Sequence, residues 1–232
     1  NYLGVGLVEP VDDMRVTNPA SNQELLDAAA DYLVQQNFDL RQLMRLLLNS
    51  ATYQRSSVAV EGNAGDRRFY SRYYPRRLKA EVLLDAVSQV TNVPTEFKDR
   101  AKGTRALQLP DSSVDSYFLS TFGRPERIIT CDCERTDEPS VTQVLHLYNG
   151  DTVNNKLQSK EGRIERLFAG EVTAADAVRG AYMEALSREP TELESQRLTE
   201  IIESDDSAEQ RRLVLEDLYW SLLTSKEFIF NH

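Results

Sequence analysis

Apolar residues recur along most of this chain at three- and four-residue spacing, the mark of helices with one buried face. Ser21 and Glu24 read as a capping box, each side chain satisfying a free amide at a helix start. Leu25, Leu26, Ala29 and Leu33 follow at helical spacing. A second helix is predicted from about Asp39, with Leu40, Leu43, Met44 and Leu47 on one face. A third runs from about Leu78 to Val90 and carries Val82, Leu83, Ala86 and Val87. Each stripe is expected to be buried against a neighbour.

The periodicity weakens between about Thr91 and Cys133, where Pro94, Gly103, Pro110, Gly123 and Pro125 interrupt it. A long irregular connection is predicted there, with room for one short helix at the apolar patch Tyr117 to Phe122. Helix resumes at Pro139, carries Val141, Val144, Leu145 and Tyr148, and stops at Gly150. Thr173 and Asp176 open a further helix with Val178, Ala181, Tyr182 and Ala185, and Thr191 and Glu194 open the next with Leu198, Ile201 and Ile202. A last helix runs from about Ala208 through Leu213, Leu215, Leu218, Leu222 and Leu223. The expected fold is all-α: a multi-helix single domain over 1–232 with a long irregular central loop and a helical C-terminal lobe. The punctuation between Lys160 and Thr173 marks a candidate subdomain break into 1–159 and 160–232, although no Gly/Ser linker accompanies it.

Composition narrows the function classes. A hydrophobic fraction of 41% in 232 residues is enough for a sizeable core. The net charge of -10 removes general affinity for nucleic acid, because phosphate contacts need a basic surface. No apolar run reaches the ~18–20 residues of a membrane span. The chain begins at Asn1 rather than Met, so it is expected to be an excised piece of something longer, and missing targeting signals carry no weight. Two cysteines do not make a disulfide framework, and no Cys-x-x-Cys-His is present to attach a c-type haem. With only His146 and His232, a multi-histidine metal centre is excluded.

Candidate chemistry concentrates in Cys131-Asp132-Cys133-Glu134-Arg135. Cys131, Cys133 and His146 are three ligand types acceptable to zinc or copper, with a fourth needed from Asp132, Glu134 or another chain. Alternatively the two thiols form a redox pair, activated by Arg127 and Arg135, whose disulfide would close a small strained ring. The plain alternative is two small side chains in an ordered loop. Between Arg67 and Arg77, basic residues interleave with tyrosines. Arg72, Tyr74, Arg76 and Arg77, with Glu134 and Arg135, are candidates for binding an anion or a glycan. The competing reading has these arginines paired with internal carboxylates and packed on tyrosine rings. The carboxylates Glu134, Asp137 and Glu138 fit either acid–base work or salt bridges holding a loop. No Gly-x-Ser-x-Gly elbow, P-loop or dinucleotide fingerprint occurs, and His146 beside Leu145 and Leu147 reads as a packing histidine.

Taken together, these residues resemble the planctomycete PSD-one domain, a domain of unknown function from large exported proteins. The resemblance runs nearly end to end: Gly6-Leu7-Val8-Glu9-Pro10-Val11-Asp12-Asp13, Asn18-Pro19, Leu48-Asn49-Ser50, Thr52-Tyr53-Gln54 and Tyr74-Pro75-Arg76-Arg77-Leu78 with Glu81. It continues through Phe122-Gly123-Arg124-Pro125, the Cys-x-Cys-Glu-Arg run, Leu145-His146, Asn149-Gly150, Leu186-Ser187-Arg188, Pro190-Thr191 and Ser225-Lys226-Glu227-Phe228. The resemblance implies an extracytoplasmic (periplasmic or cell-surface) setting and an upstream companion domain (PSCyt-two), often preceded by a cytochrome-c-like domain. No cofactor is expected in this chain; haem would sit on the absent upstream part. The family offers no established catalytic residues to carry over. The function expected is therefore a non-catalytic interaction and scaffolding domain, linked to polysaccharide handling or electron transfer, with the upstream domain and a polysaccharide or anionic ligand as partners. Two alternatives stay open: an enzyme whose site lies at the junction with the missing domain, and a small redox or metal module built on the Cys-x-Cys pair.

Overall fold

The computed structural model describes residues 2–11, 13–66, 68–110, 114–125, 135, 139–170, 172–204 and 207–231. Helix dominates, as the periodicity requires. The elements are α1 (Gln23–Gln35), α2 (Leu40–Leu48), α3 (Ala80–Thr91), a 3-10 turn (Ala106–Gln108), α4 (Tyr117–Thr121), α5 (Val141–Asn149), α6 (Asp151–Leu157), α7 (Arg163–Ala169), α8 (Ala174–Leu186), α9 (Glu192–Glu203), α10 (Ala208–Leu223) and α11 (Lys226–Ile229). Two short strands, β1 (Arg76–Arg77) and β2 (Phe230–Asn231), pair with each other. The chain divides into two compact units, Asn1–Arg76 with Asn231–His232, and Arg77–Phe230.

In the first unit α1 and α2 form a helical hairpin. Asn37 and Phe38 turn the chain in left-handed conformation, φ 50° and 61°, and the Phe38 amide donates back to the Leu33 carbonyl at 2.9 Å. That bond closes the carbonyl end of α1 in the manner of a Schellman turn. Asp39 caps α2, accepting from the Arg41 amide at 2.8 Å and the Gln42 amide at 3.3 Å. The cap of α1 is Asn22, whose Oδ1 accepts from the Leu25 amide at 2.9 Å. The box expected from Ser21 and Glu24 is thus replaced by a single cap one residue on, because an Asn at the boundary accepts from the helix amides as well as Ser does. Contrary to expectation, neither α1 nor α2 buries a single residue.

The second unit is built around α3, whose Ala80, Leu83, Leu84, Val87, Val90 and Thr91 are buried. Around it lie Phe118, Leu119 and Phe122 from the α4 region, Val153 and Leu157 from α6, Val178 and Ala181 from α8, and Leu215, Leu218, Tyr219, Leu222 and Leu223 from α10. The irregular connection after α3 is tied down by Asp85, whose carboxylate accepts from the Ala106 amide at 2.7 Å and the Leu107 amide at 3.2 Å. Thr191 and Glu194 form the predicted capping box of α9, and Thr173 caps α8.

The candidate break at 159/160 falls inside this unit. Lys156 Nζ donates to the Val93 carbonyl at 2.6 Å, and Arg163 Nε donates to the Val90 carbonyl at 2.6 Å. Basic side chains from both sides of Lys160 therefore satisfy carbonyls at the C-terminal end of α3, the end that favours positive charge. The glycine and serine punctuation there serves a tight corner, and the body continues through it.

Helix α5 departs most from its sequence pattern. Ser140 caps it, with Gln143 closing the box. Its apolar positions Val141, Val144, Leu145 and Tyr148 are 74%, 51%, 55% and 46% exposed, whereas Gln143 and Leu147 are buried. The inward row is Gln143, His146, Leu147 and Gly150. It lies two residues, about 200° of helical turn, from the apolar row.

Candidate functional site

The six binding candidates fall on separate parts of the protein. Arg72, Tyr74 and Arg76 belong to the first unit, Arg77 and Arg135 to the second, and Glu134 lies outside the described residues. Cys131 and Cys133 also lie outside the described residues, so their part in a redox pair or metal site has no geometry here. Among the described residues no group of three or more His, Cys, Asp or Glu side chains is arranged to hold a metal ion.

In the first unit the tyrosines point inward: Tyr70, Tyr73 and Tyr74 are all buried. The Arg72 guanidinium lies 5.3 Å from the Tyr74 ring centroid and donates to the Ser57 carbonyl at 3.3 Å. Tyr74 Oη accepts from the Tyr70 amide at 3.2 Å, and Tyr70 Oη donates to the Val5 carbonyl at 3.2 Å. Asp66 gathers the intervening loop, accepting from the amides of Arg68, Phe69 and Ser71 and from the Ser71 hydroxyl. Those bonds, led by the Ser71 hydroxyl, hold its carboxyl well below the usual carboxylate range. The Arg76 amide donates to Asn231 Oδ1 at 3.1 Å, and Asn231 Nδ2 donates to Tyr73 Oη at 3.0 Å.

In the second unit a polar cluster forms at the start of α3. Glu81, in the first turn, receives two bonds from Arg135, each at 3.0 Å, and Arg124 Nε lies 3.7 Å from its Oε1. The side chains of Glu81, Arg124 and Arg135 are only 13%, 9% and 13% exposed. Burial alone would raise the Glu81 carboxyl. The Arg135 hydrogen bonds, its own backbone amide, and the charges of Arg135 and Arg124 together pull it below its ordinary value. Alongside, Arg77 Nη1 donates to Gln143 Oε1, Arg77 Nη2 donates to the Phe122 carbonyl at 3.2 Å, and its guanidinium lies 5.7 Å from the Phe122 ring centroid. Gln143 Nε2 donates to the Thr121 carbonyl at 3.0 Å. A buried glutamine with these partners explains why α5 turns a polar residue inward.

His146 sits next to that cluster in an aromatic nest. Its ring centroid is 5.2 Å from Tyr117, 5.6 Å from Phe118 and 6.2 Å from Phe122, and its Nε2 is 2.9 Å from Thr152 Oγ1. Burial lowers its pKa, against the opposing charge of Asp151. A Cβ at Gly150 would lie 2.7 Å from His146 Nδ1 and 2.2 Å from its carbonyl oxygen, so only glycine fits there. Further along, Arg188 joins Glu194, at 3.1 and 3.2 Å, to Glu227, at 2.6 and 3.0 Å, and lies 5.0 Å from the Tyr182 ring centroid. The Arg188 hydrogen bonds bring Glu194 down to about 2.

Chemically, these arginines hold internal carboxylates, carbonyls and rings. Sequence reasoning reached Arg77 and Arg135 but missed Glu81 and Arg124 as their neighbours. Glu81 carries a local signal, a lone acid in the first turn of an apolar helix. Arg124 stands out only within the Phe122-Gly123-Arg124-Pro125 run, which says nothing of its partner.

Fold and side-chain arrangement define a helical domain in which Arg72, Arg77, Arg124, Arg135 and Arg188 are engaged with internal carboxylates, carbonyls and rings. Residues 1–202 match the sequence model of PSD1, described as a protein of unknown function (DUF1553), and the chain belongs to that family. No curated protein matches the chain, and neither does any solved structure. Among the described residues no helix is long and apolar enough to cross a membrane.

Proposed function

We propose that this chain is a non-catalytic interaction and scaffolding domain of a larger extracytoplasmic bacterial protein, and that it packs on an upstream companion domain. The observation that carries this reading is the set of amphipathic helices whose apolar sides stay open. On α5, Val141, Val144, Leu145 and Tyr148 form an i, i+3, i+4, i+7 stripe facing outward, and α2 exposes Leu40, Met44 and Leu48. Helices with such stripes gain most of their stability from packing on a neighbour, and contiguous apolar patches mark interaction surfaces. The resemblance to exported multidomain proteins supplies the occupant and the extracytoplasmic setting, with polysaccharide handling or electron transfer as the work of the whole assembly. The inward use of Arg72, Arg77 and Arg135 supports anchoring over catalysis.

The test compares amide hydrogen exchange in the natural full-length protein with exchange in this chain alone. Slower exchange of α5 and α2 in the full-length protein is expected, and Val144→Ser with Leu145→Ser should restore the faster rate on α5. Equal exchange in both proteins would refute docking through these faces.

A further inference from the structure

Between α6 and α10 lies a cleft of about 250 Å³, lined by Asn154, Leu157, Gln158, Glu216, Asp217 and Trp220. It is smaller than the roughly 300–1,000 Å³ of pockets for drug-sized ligands. Leu157 is buried and forms the floor. Asn154 and Gln158 stand four residues apart on one side, and Asp217 and Trp220 three apart on the other, so both helices present one row to the shared groove. Trp220 is half-buried and held by Tyr148, whose ring stands at 77° to the indole with centroids 5.3 Å apart.

The polar groups divide into those already engaged and those open to the groove. Glu216 accepts from Arg212 Nε at 2.8 Å, which neutralises its charge. Asn154 Nδ2 donates one hydrogen to the Gly150 carbonyl at 3.1 Å, leaving its second N–H and its oxygen. Among the described residues the Asp217 carboxylate, the Gln158 side-chain amide and the Trp220 indole N–H have no hydrogen-bond or ion-pair partner. One open carboxylate, two amides and an indole therefore converge on a space the size of one small ring.

We propose that this groove is a binding subsite for a single neutral sugar ring, most simply one residue of a polysaccharide. A pyranose offers an apolar C–H face that packs on an indole, and hydroxyls that both donate and accept. The carboxylate accepts two hydroxyl protons, and the amides supply one donor and one acceptor each. The open charge of Asp217 repels acidic sugars and phosphate. A bare ammonium would find the carboxylate and the indole but leave both amides unused. The subsite goes beyond the docking role proposed above and does not depend on it.

Trp220 is the only tryptophan in the chain, so indole emission reports this groove directly. Intact protein is titrated with glucose, galactose, mannose and N-acetylglucosamine, then with glucuronate and with choline, each to about 100 mM. A saturable emission change with at least one neutral sugar is expected, with a dissociation constant on the order of 1 mM for so small a ligand. Glucuronate and choline should give none. Asp217→Ala should weaken binding about tenfold or more with the melting temperature unchanged, Asn154→Ala should weaken it likewise while lowering the melting temperature through the lost bond to Gly150, and Trp220→Phe should lose it in saturation-transfer NMR. No saturation with any neutral sugar, saturation by choline alone, or undiminished binding by Asp217→Ala overturns the proposal. Because α5 and α2 docking is read by exchange, its failure is distinguishable from failure here.

Discussion

Replacing Glu81 with Gln keeps the shape of the side chain but removes the one described negative charge between Arg124 and Arg135. Breaking a buried ion pair by neutralising one partner costs ~3–5 kcal/mol, because the remaining charge stays desolvated. Here 9–13% of each side chain still meets solvent, which places the expected loss near the lower bound, about 3 kcal/mol. For a body of this size that corresponds to a fall in melting temperature of roughly 6–12 °C. Trp220 lies in the same unit as Glu81, so its emission follows the unfolding of that unit whatever the other does. The pH dependence supplies a second arm. The Glu81 carboxyl lies below its ordinary value of 4.5 in the folded protein, so its contribution is complete above that value and fades as pH falls through the folded one. Wild type and Glu81→Gln should therefore unfold far apart at pH 7 and converge toward pH 3. A difference under about 0.5 kcal/mol at pH 7 would equate the pair with an exposed ion pair. A gap unchanged from pH 7 to pH 3 would refute the charge argument.

Two further outcomes follow from neighbouring residues. Gln143→Leu removes the acceptor of Arg77 Nη1 and the donor to the Thr121 carbonyl, so urea unfolding should show a loss of about 2 kcal/mol, whereas Leu145→Ser on the same helix should change it by less than about 0.5; the reverse order would mean that α5 faces the other way. Lys156 is 7% exposed, and burial lowers its pKa to about 8 from 10.5. Between those values the unfolded chain binds more protons than the folded one, so stability should climb with pH by at most about 1.36 kcal/mol per unit, and Lys156→Met should flatten the climb in urea midpoints taken from pH 7.5 to 10.5. Equal slopes for the two proteins would count against a buried ammonium.

Helix identity was legible because it rests on local period and on caps. Thr173, Thr191 with Glu194, and Asp39 all begin the helices they were expected to begin. Which side of a helix faces inward was less legible, because a single long-range polar bond can outweigh the apolar stripe. Gln143 does this on α5, with partners 66 residues away at Arg77 and 22 away at Thr121. The bonds at the corner near Lys160 were hidden for a similar reason: they reach back from Lys156 and Arg163 to α3. At the site, Arg72 lies over the Tyr74 ring, the packing that one of the two readings of the interleaved tyrosines and arginines describes. The carboxylate serving Arg135 was hidden because it lies 54 residues upstream, on a helix read for its leucines. The groove at Trp220 escaped because Asn154 and Asp217 become neighbours only when α6 and α10 pack.

On α5 the residues that fasten the helix and the residues that meet the outside are different sets. Gln143, Leu147 and the glycine after the last turn hold it in place, while Val141, Val144 and Leu145 face outward and Tyr148, half exposed, also packs on Trp220. Selection can therefore rewrite Val141, Val144 and Leu145 letter by letter, with no repacking inside. On the docking proposed above, a lineage carrying this domain can exchange one partner for another through point substitutions that leave folding untouched, a freedom denied to helices whose greasy side is also their anchor.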